Sequence, residues 1–286
     1  MQELEPGLRL VRAPNPSPMT AEGTNTYLVG AGNVVVIDPG PAIPAHLEAI
    51  LAALAPGEMI THILVTHSHL DHSPLARPLA DATGAPVIAA GPSDWGVSAV
   101  MQALRDAGGL GGGEGIDTIF APDERIKAGD VVAGLSVLAT PGHMANHLSF
   151  AWNGAVFSGD LVMGWSTSLV SPPDGDMTAF MTSVEMLQGR DDRVFYPGHG
   201  APVTAPAVRC AELIAHRRHR EAQIIAALGE TPATAHELAA RIYTQTPPAL
   251  LPAAARNVLA HLIDLTARDR ATPLGPLTGE AKFALT

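Results

Sequence analysis

The sequence has only one cysteine, Cys210, among its 286 residues, so no disulfide can form within the chain. A chain without structural disulfides is typical of a reducing compartment, and we therefore expect a cytoplasmic protein. No run of 18 apolar residues occurs, so we expect neither a membrane-spanning helix nor a membrane partner. The first residues, MQELEP, offer neither a basic nor an apolar stretch, and we expect no signal peptide.

Basic and aromatic residues are both scarce. Lys and Arg number 17 against 28 Asp and Glu, the formal net charge is −11, and aromatic residues make up 4% of the chain. From residue 204 onward there are nine basic and seven acidic residues, which leaves the first 203 residues with eight and 21, a net charge of −13. An acidic surface repels phosphate backbones, and few aromatic rings leave few platforms for stacking single-stranded bases. The composition therefore favours a small-molecule substrate over a nucleic acid.

Short apolar runs alternate with helical patterns through the first two thirds of the chain. Residues 26–29 and 34–37 flank a turn and predict a β-hairpin. A helix is predicted over 44–55, because apolar residues recur there on one helical face. Further strands are predicted at 63–65, 86–89, 131–140, 148–152, 155–157 and 194–196. This alternation predicts an α/β layered fold.

The pattern changes near residue 204, where helical periodicity replaces the strands. One long helix is predicted over 206–228, and a capping box formed by Thr234 and Glu237 opens another. We therefore predict two domains, a layered α/β domain over 1–203 and a small, winged-helix-like helical domain over 204–286. Such a unit can bind nucleic acid, or it can serve as a packing or homodimer module.

The segment VTHSHLDHSP, residues 65–74, places three histidines and an aspartate within six positions: His67, His69, Asp71 and His72. It directly follows a predicted buried strand. Imidazole nitrogen and carboxylate oxygen are ligands of zinc and of other borderline metals. His67 and His69 are two residues apart, so on an extended strand end they point the same way. A histidine-rich turn without function is the alternative, but four ligand-type residues in six positions favour a metal site.

Three other predicted strands end in a short breaker followed by a ligand-type residue. These endings are TPGH at 140–143, SGD at 158–160 and PGHG at 197–200. Strand ends converge at one edge of a sheet, which is where α/β folds place their sites. The candidate ligands are therefore five histidines and two aspartates: His67, His69, Asp71, His72, His143, Asp160 and His199. This number of side chains is enough for two metal ions with open positions.

These motifs, in this order, resemble those of the metallo-β-lactamase superfamily over about residues 20–203. The resemblance implies a four-layer αββα sandwich over 1–203. It also implies that one metal is held by His67, His69 and His143, that the second is held by Asp71, His72 and His199, and that Asp160 bridges both. True β-lactamases commonly use a cysteine ligand, whereas Cys210 lies outside every motif. The aspartates instead resemble those of the glyoxalase II and phosphodiesterase branches.

A closer resemblance comes from GTNTYLVG at 23–30 and AHRRHREAQI at 215–224, which look like segments of the lactamase-β-like-2 group. That group appends a winged-helix-like domain to the metal domain. Its members include a mitochondrial endoribonuclease for single-stranded RNA and fungal thioesterases that release polyketides from acyl carrier protein. The resemblance therefore leaves two substrate classes open, a thioester or related small acyl compound and single-stranded RNA.

Both activities would use the same chemistry. Two divalent ions, with zinc expected and iron or manganese as alternatives, lower the pKa of a bridging water toward about 7 and give a hydroxide nucleophile. Asp71 can accept the proton of that nucleophile, and Asp160 fixes the metal spacing. Asp38 is predicted to orient a ligand, with a turn cap as the alternative, and His147 is expected to be structural. We therefore predict a metal-dependent hydrolase, and the acidic charge favours the acyl substrate over RNA.

The segment HRRHR, residues 216–220, places three arginines within four positions of the long helix. A solvated basic face is one interpretation. The other is that these arginines bind the remote part of an anionic substrate, a carrier protein or RNA. In the related group the appended domain helps to form the entrance to the site, so the second interpretation places the arginines there.

Overall fold

The computed structural model describes residues 1–108, 110, 115–229 and 231–286. A seven-stranded sheet runs in chain order through β1 to β7, which are Gln2–Glu5, Leu8–Arg12, Asn25–Val29, Asn33–Ile37, Met59–Leu64, Val87–Ala89 and Glu124–Arg125. The next five strands, β8 to β12, are Val131–Val132, Leu135–Ala139, Leu148–Trp152, Ala155–Gly159 and Val194–Pro197. They form a second sheet in the order β12-β11-β10-β9-β8. The candidate ligand motifs therefore follow strands of both sheets.

The two large sheets face each other through one apolar core. Along β4, Val35 and Ile37 point into this core, whereas Val34 and Val36 point to the outer side of the sheet. Such alternation is what a strand with both faces covered requires. Aromatic side chains fill much of the space between the sheets: Tyr27, Phe150, Phe157 and Tyr196.

Helices cover both outer faces. The seven-stranded sheet is covered by α1, Pro44–Ala52, and α2, Ala76–Thr83, while α3, Ala99–Ala107, packs toward the C-terminal domain. The five-stranded sheet is covered by α4, Met177–Gln188, and by the first half of α5, Pro206–Leu228. The layers are thus α, β, β and α, and the predicted sandwich is confirmed.

The C-terminal part is built from helices and one small sheet. After α5 come α6, Ala235–Ile242, a 3-10 turn, Pro248–Leu250, and α7, Leu251–Ala267. The small sheet has the order β13-β15-β14, formed by Ala233–Thr234, Lys282–Leu285 and Ala271–Pro273. The apolar core of the C-terminal part draws side chains from α5, α6, α7 and the small sheet: Ile224, Leu228, Leu238, Val258, Leu262 and Phe283. The first half of α5 packs elsewhere, because Cys210 and Leu213 belong to the core under the five-stranded sheet. The α5 helix therefore does not mark a domain boundary, and the predicted boundary at 203/204 stays a prediction.

The sequence patterns located the main elements but missed some of them. The strand predicted over 131–140 is wrong as one element, because Ala133 and Gly134 adopt φ values of 47° and 85° and turn the chain into a hairpin. The helices α2 to α4 were not predicted, although Asp176 caps α4 by accepting a hydrogen bond from the backbone of Ala179. No helix in the described ranges is long and apolar enough to cross a membrane.

The capping box predicted at the start of α6 is present. The Thr234 hydroxyl accepts the backbone N–H of Glu237 at 3.1 Å, and the Glu237 carboxylate accepts the backbone N–H of Thr234 at 2.8 Å. Two N–H groups that the helix leaves without partners are satisfied in this way.

Replacing Thr234 with Ala should therefore lower the free energy of unfolding by about 1 kcal/mol. Urea unfolding followed by circular dichroism measures this change. Thr231→Ala is the matched control, because the exposed Thr231 side chain bonds to none of the described residues. Identical unfolding curves for the two variants would show that the capping box contributes nothing to stability.

Candidate metal centre

The seven candidate ligands lie together at one edge of the sandwich, beyond the ends of β5, β9, β11 and β12. Six of them are buried, and Asp71 is half-buried. Their donor atoms form three groups, and within each group all atoms lie within 4.8 Å of one another. The groups are His67–His69–His143, His67–His72–Asp160 and Asp71–His72–His199. The structure thus brings every predicted ligand into one cluster that is suited to metal ions.

In the first group, the ring nitrogens of three histidines face one another. His69 Nδ1 lies 3.1 Å from His67 Nε2 and 3.0 Å from His143 Nε2. Nitrogens bound to one zinc at about 2.0 Å in a tetrahedron are on the order of 3.3 Å apart. The spacing of this trio therefore fits three ligands of a single ion.

Asp160 lies between this trio and the second group. Its Oδ2 is 3.3 Å from His199 Nε2 and 3.8 Å from His143 Nε2, while His199 Nε2 is 3.0 Å from Asp71 Oδ2. The other oxygen, Asp160 Oδ1, is buried and makes no hydrogen bond of good geometry within the described chain, where the ring nitrogen His72 Nε2 lies 3.5 Å from it. A buried carboxylate oxygen without a donor is costly unless a cation satisfies it. This position suits a ligand shared by two ions.

Hydrogen bonds on the far side of the rings determine which nitrogen faces the cluster. His143 Nδ1 lies 2.8 Å from the carbonyl oxygen of Leu169. Because a carbonyl only accepts, the proton lies on Nδ1, and Nε2 keeps its lone pair for a ligand role. His67 is held in a similar way, since its Nδ1 lies 2.9 Å from the Thr66 hydroxyl.

Asp38 orients the HxHxDH segment from the end of β4. Its Oδ2 lies 2.9 Å from His72 Nδ1 and accepts the Thr66 hydroxyl at 2.8 Å, and its Oδ1 accepts the backbone N–H of Thr66 at 2.7 Å. The Asp38 backbone has a φ of 52°, a left-handed conformation that Asp tolerates better than most residues. Asp38 thus contacts a candidate ligand, as predicted.

His147 lies behind the cluster and belongs to none of its donor groups. Its Nε2 accepts the backbone N–H of Asp160 at 3.2 Å, and its Nδ1 lies 2.9 Å from the Thr140 hydroxyl. Both ring nitrogens are therefore engaged, and neither is available to a metal. As expected, His147 is structural, and the residue that it positions is Asp160.

Burial and neighbouring charges set the protonation states of the cluster. Burial lowers the pKa of His69 to about 3, so this ring is neutral and its lone pair is available. Burial is the largest single influence on the His199 pKa and lowers it, but the carboxylates of Asp160 and Asp71 together outweigh burial and raise this pKa to about 9. Burial is also the largest single influence on the Asp71 pKa and raises it, but His72 and His199 together outweigh burial and lower this pKa to about 2. The ionised carboxylates give the cluster an affinity for cations.

The PGHG segment is held close to the cluster by a glycine and by Asn25. A Cβ at Gly198 would lie 2.3 Å from Asp160 Oδ1, so only glycine fits there. Asn25 Nδ2 donates to two carbonyls of this segment, at 3.0 and 2.9 Å. Asn25 belongs to the GTNTYLVG segment, which was singled out above only because it resembles a known group. This segment holds the strand end that carries His199 in place.

A pocket of about 470 Å³ opens over the cluster. Loops before β3 and after β11 form two of its walls, and the C-terminal helices contribute a third, with Ala253 and Asn257. Large apolar side chains in the lining remain partly exposed to solvent: Met19, Leu70, Trp165 and Leu250. None of the described residues that line the pocket is lysine or arginine. The pocket is therefore suited to an apolar or neutral group.

The arginines of HRRHR do not line this pocket. Arg217 is buried, with 2% of its surface exposed, so neither interpretation of the segment is right for this residue. Arg218 is on the surface and pairs with Glu185 at 3.0 Å. The Arg220 guanidinium lies 4.3 Å from the centre of the Tyr243 ring. These three side chains are engaged in contacts within the protein.

Comparison with known proteins agrees with this architecture. Residues 19–199 match the family described as Metallo-beta-lactamase superfamily, and residues 234–275 match the Beta-lactamase associated winged helix domain. A Beta-lactamase-like protein 2 homolog from Caenorhabditis elegans is 30% identical over 269 residues, which cover 90% of this chain and 83% of that protein. An Atrochrysone carboxyl ACP thioesterase from Aspergillus chevalieri is 29% identical over 239 residues, covering 81% of this chain and 68% of that protein.

The fold is shared with the crystal structure of a metallo-beta-lactamase family protein from Thermus thermophilus. The two structures superpose with a TM-score of 0.79 at 26% identity, covering 99% of this chain and 100% of the other. The predicted family, its layered fold and the winged-helix appendage are all confirmed. The chain belongs to the metallo-beta-lactamase superfamily, whose members are generally metal-dependent hydrolases, and it carries the winged helix domain associated with that family.

Proposed function

We propose that the chain is a binuclear metal-dependent hydrolase that acts on a thioester or a related small acyl substrate. The observation that carries this proposal is the pocket over the cluster, where the described lining has no lysine or arginine and the large, partly exposed side chains are apolar. An apolar acyl group gains roughly 25 cal/mol per Å² of surface buried there. A phosphate backbone, by contrast, is normally met by Arg, Lys and other donors. A thioesterase among the relatives supports the same substrate class.

The seven side chains would hold two divalent ions. One ion would take His67, His69 and His143, the other Asp71, His72 and His199, with Asp160 shared between them. Zinc is the metal we propose, with iron or manganese as alternatives because the donors are nitrogen and oxygen only. Such ions supply a Lewis acid and a lowered pKa for water when they are bound.

The chain's own residues would provide the remaining parts of the reaction. Asp71 lines the pocket and its side chain is 21% exposed, so its carboxylate faces the space in which a water would attack. It can therefore accept the proton of the water that attacks the acyl carbon. Trp165 and Leu250 would cover the acyl group and exclude bulk water from the reacting bond. Asp160, fixed by His147 through its backbone, would hold the two halves of the cluster at a constant separation.

A metal-dependent endoribonuclease for single-stranded RNA is the second candidate. The winged helix domain favours it, since residues from 204 onward carry a net charge of +2 while the rest of the chain carries −13. The internal contacts of Arg217 and Arg220 weaken it, because these cations are not presented to a ligand.

A substrate panel separates these two candidates. The metal-loaded protein should hydrolyse an acyl-CoA or acyl-glutathione thioester, and EDTA should abolish this activity. Bis-p-nitrophenyl phosphate and single-stranded RNA are tested beside the thioesters at matched enzyme concentration. Cleavage of RNA with no turnover of any thioester would overturn the acyl proposal and favour the endoribonuclease.

Metal content tests the proposed ligands directly. The wild-type protein should retain two divalent ions per chain after loading and gel filtration, measured by elemental analysis. Asp160→Ala should lose at least one ion and most of the activity, because a shared carboxylate compensates the charge of both ions. His147→Ala removes no candidate ligand, only hydrogen bonds to the Asp160 backbone and to the Thr140 hydroxyl, and should lose less metal. Equal losses in the two variants, or less than one ion in the wild type, would contradict the assignment.

The pocket wall predicts a preference for larger acyl groups. Trp165→Ala should raise KM for a medium-chain acyl thioester about tenfold, since apolar surface that the acyl chain and the partly exposed indole ring bury against each other contributes about 1.5 kcal/mol. The acetyl thioester should change less, because it has less apolar surface to bury against the indole ring. Trp95→Ala is the matched control, since Trp95 is also partly exposed and does not line the pocket. Parallel changes for the two substrates would mean that Trp165 does not contact the acyl chain.

A further inference from the structure

Arg217 is a buried cation whose hydrogen bonds within the described chain go to an amide oxygen and a backbone carbonyl, not to a carboxylate. It lies on α5 in the apolar stripe of Cys210, Leu213 and Ile214, where the helical spacing predicts an apolar residue. Its Nε makes no hydrogen bond with any described group. Burial lowers the Arg217 pKa to about 10, which still leaves the side chain charged at neutral pH. A charge in such a place is costly, and an apolar side chain would fill the space at lower cost.

The guanidinium directs its two terminal nitrogens to two separate elements. Nη1 donates to the side-chain oxygen of Asn257 on α7 at 2.9 Å, and Nη2 donates to the carbonyl of Ser168. Its planar face lies 5.0 Å from the centre of the Phe180 ring on α4. Arg217 thus links three helices to the loop that follows β11.

The loop residues Ser168, Leu169 and Val170 connect this arginine to the cluster. The Leu169 carbonyl accepts the Nδ1 proton of His143 at 2.8 Å, and the Ser168 hydroxyl contacts the carbonyl of Asp160. On the other side, the backbone N–H of Val170 donates to Asn257 at 3.1 Å. Three consecutive residues therefore touch two candidate ligands on one side and Arg217 with Asn257 on the other.

We propose that Arg217 and Asn257 are positioning residues that hold the 168–170 loop, so that the Leu169 carbonyl fixes the orientation and tautomer of His143. This inference rests on the proposed metal centre. The Asn257 oxygen accepts from Arg217 and from Val170 together, so it joins the arginine and the loop in a single junction. Through this junction α5 and α7 contribute to metal binding, although they supply none of the candidate ligands.

The test measures metal affinity without substrate. Apo protein is reloaded, and the affinity for each of the two ions is determined by competition with a chromogenic chelator, well below the melting temperature. Arg217→Met keeps the bulk of the side chain and removes both hydrogen bonds, and it should weaken one ion by about tenfold or more. Arg217→Lys can restore one of the two contacts and should lose less. Arg218→Met is the matched control, since Arg218 is the exposed neighbour that pairs only with Glu185, and its metal affinity should stay at the wild-type value.

The melting temperature of each metal-free variant separates positioning from simple packing. An Arg217→Met protein with a lower Tm and unchanged affinity for both ions would overturn the proposal, because the arginine would then be only structural. If that variant does not fold, Asn257→Ala decides by the same measurement, since it removes the acceptor that the arginine and the loop share. Unchanged affinity in Asn257→Ala would then reject the proposal. A wild-type protein that binds no metal would instead reject the proposed function itself.

Discussion

The close approach of buried imidazoles and carboxylates at one edge of the sandwich is the constraint on which the rest of the structure depends. Ring nitrogens 3.0 to 3.3 Å apart are tolerated only if their lone pairs converge on a shared cation or proton. Each ring therefore needs a partner on its far side that determines where its own proton lies. Those partners are Asp38 for His72, Thr66 for His67 and the Leu169 carbonyl for His143, and they come from three different segments. The two sheets and their loops bring these segments together.

The ligand set could be predicted from the sequence because each ligand follows an apolar strand, and strand ends meet at a sheet edge. The layered fold was also predictable, since strands and helices alternate. The groups that orient the ligands could not be predicted from the sequence. Leu169 acts through its backbone carbonyl, which leaves no trace in residue type. Arg217 lies 49 residues from Ser168 in the chain. Because its sequence neighbours are also basic, the HRRHR segment was interpreted as a whole, and the position of Arg217 in the apolar stripe of α5 was missed. Contacts of this kind depend on tertiary structure and carry no local period.

The parts that would perform chemistry come from one domain, whereas the parts that would select a substrate come from both. All candidate ligands belong to the metallo-beta-lactamase domain, whereas Leu250, Ala253 and Asn257 of the C-terminal domain form one wall of the pocket. Leu250 and Ala253 supply no candidate ligand, whereas Asn257 also reaches His143 through the 168–170 loop. The separation agrees with a superfamily in which one metal centre serves several kinds of reaction, and it means that the match to the family alone does not identify the substrate.

The helix α5 has 23 residues and a length of about 34 Å, and its two ends lie in two different cores. Leu213 packs beneath the five-stranded sheet, while Ile224 and Leu228 pack among the C-terminal helices. If either core were to unfold, half of this helix would lose its packing partners. The remaining half would then be a shorter, less stable helix, and the other core would lose stability with it. Two regions that match separate family descriptions therefore share one helix, and we expect them to unfold together.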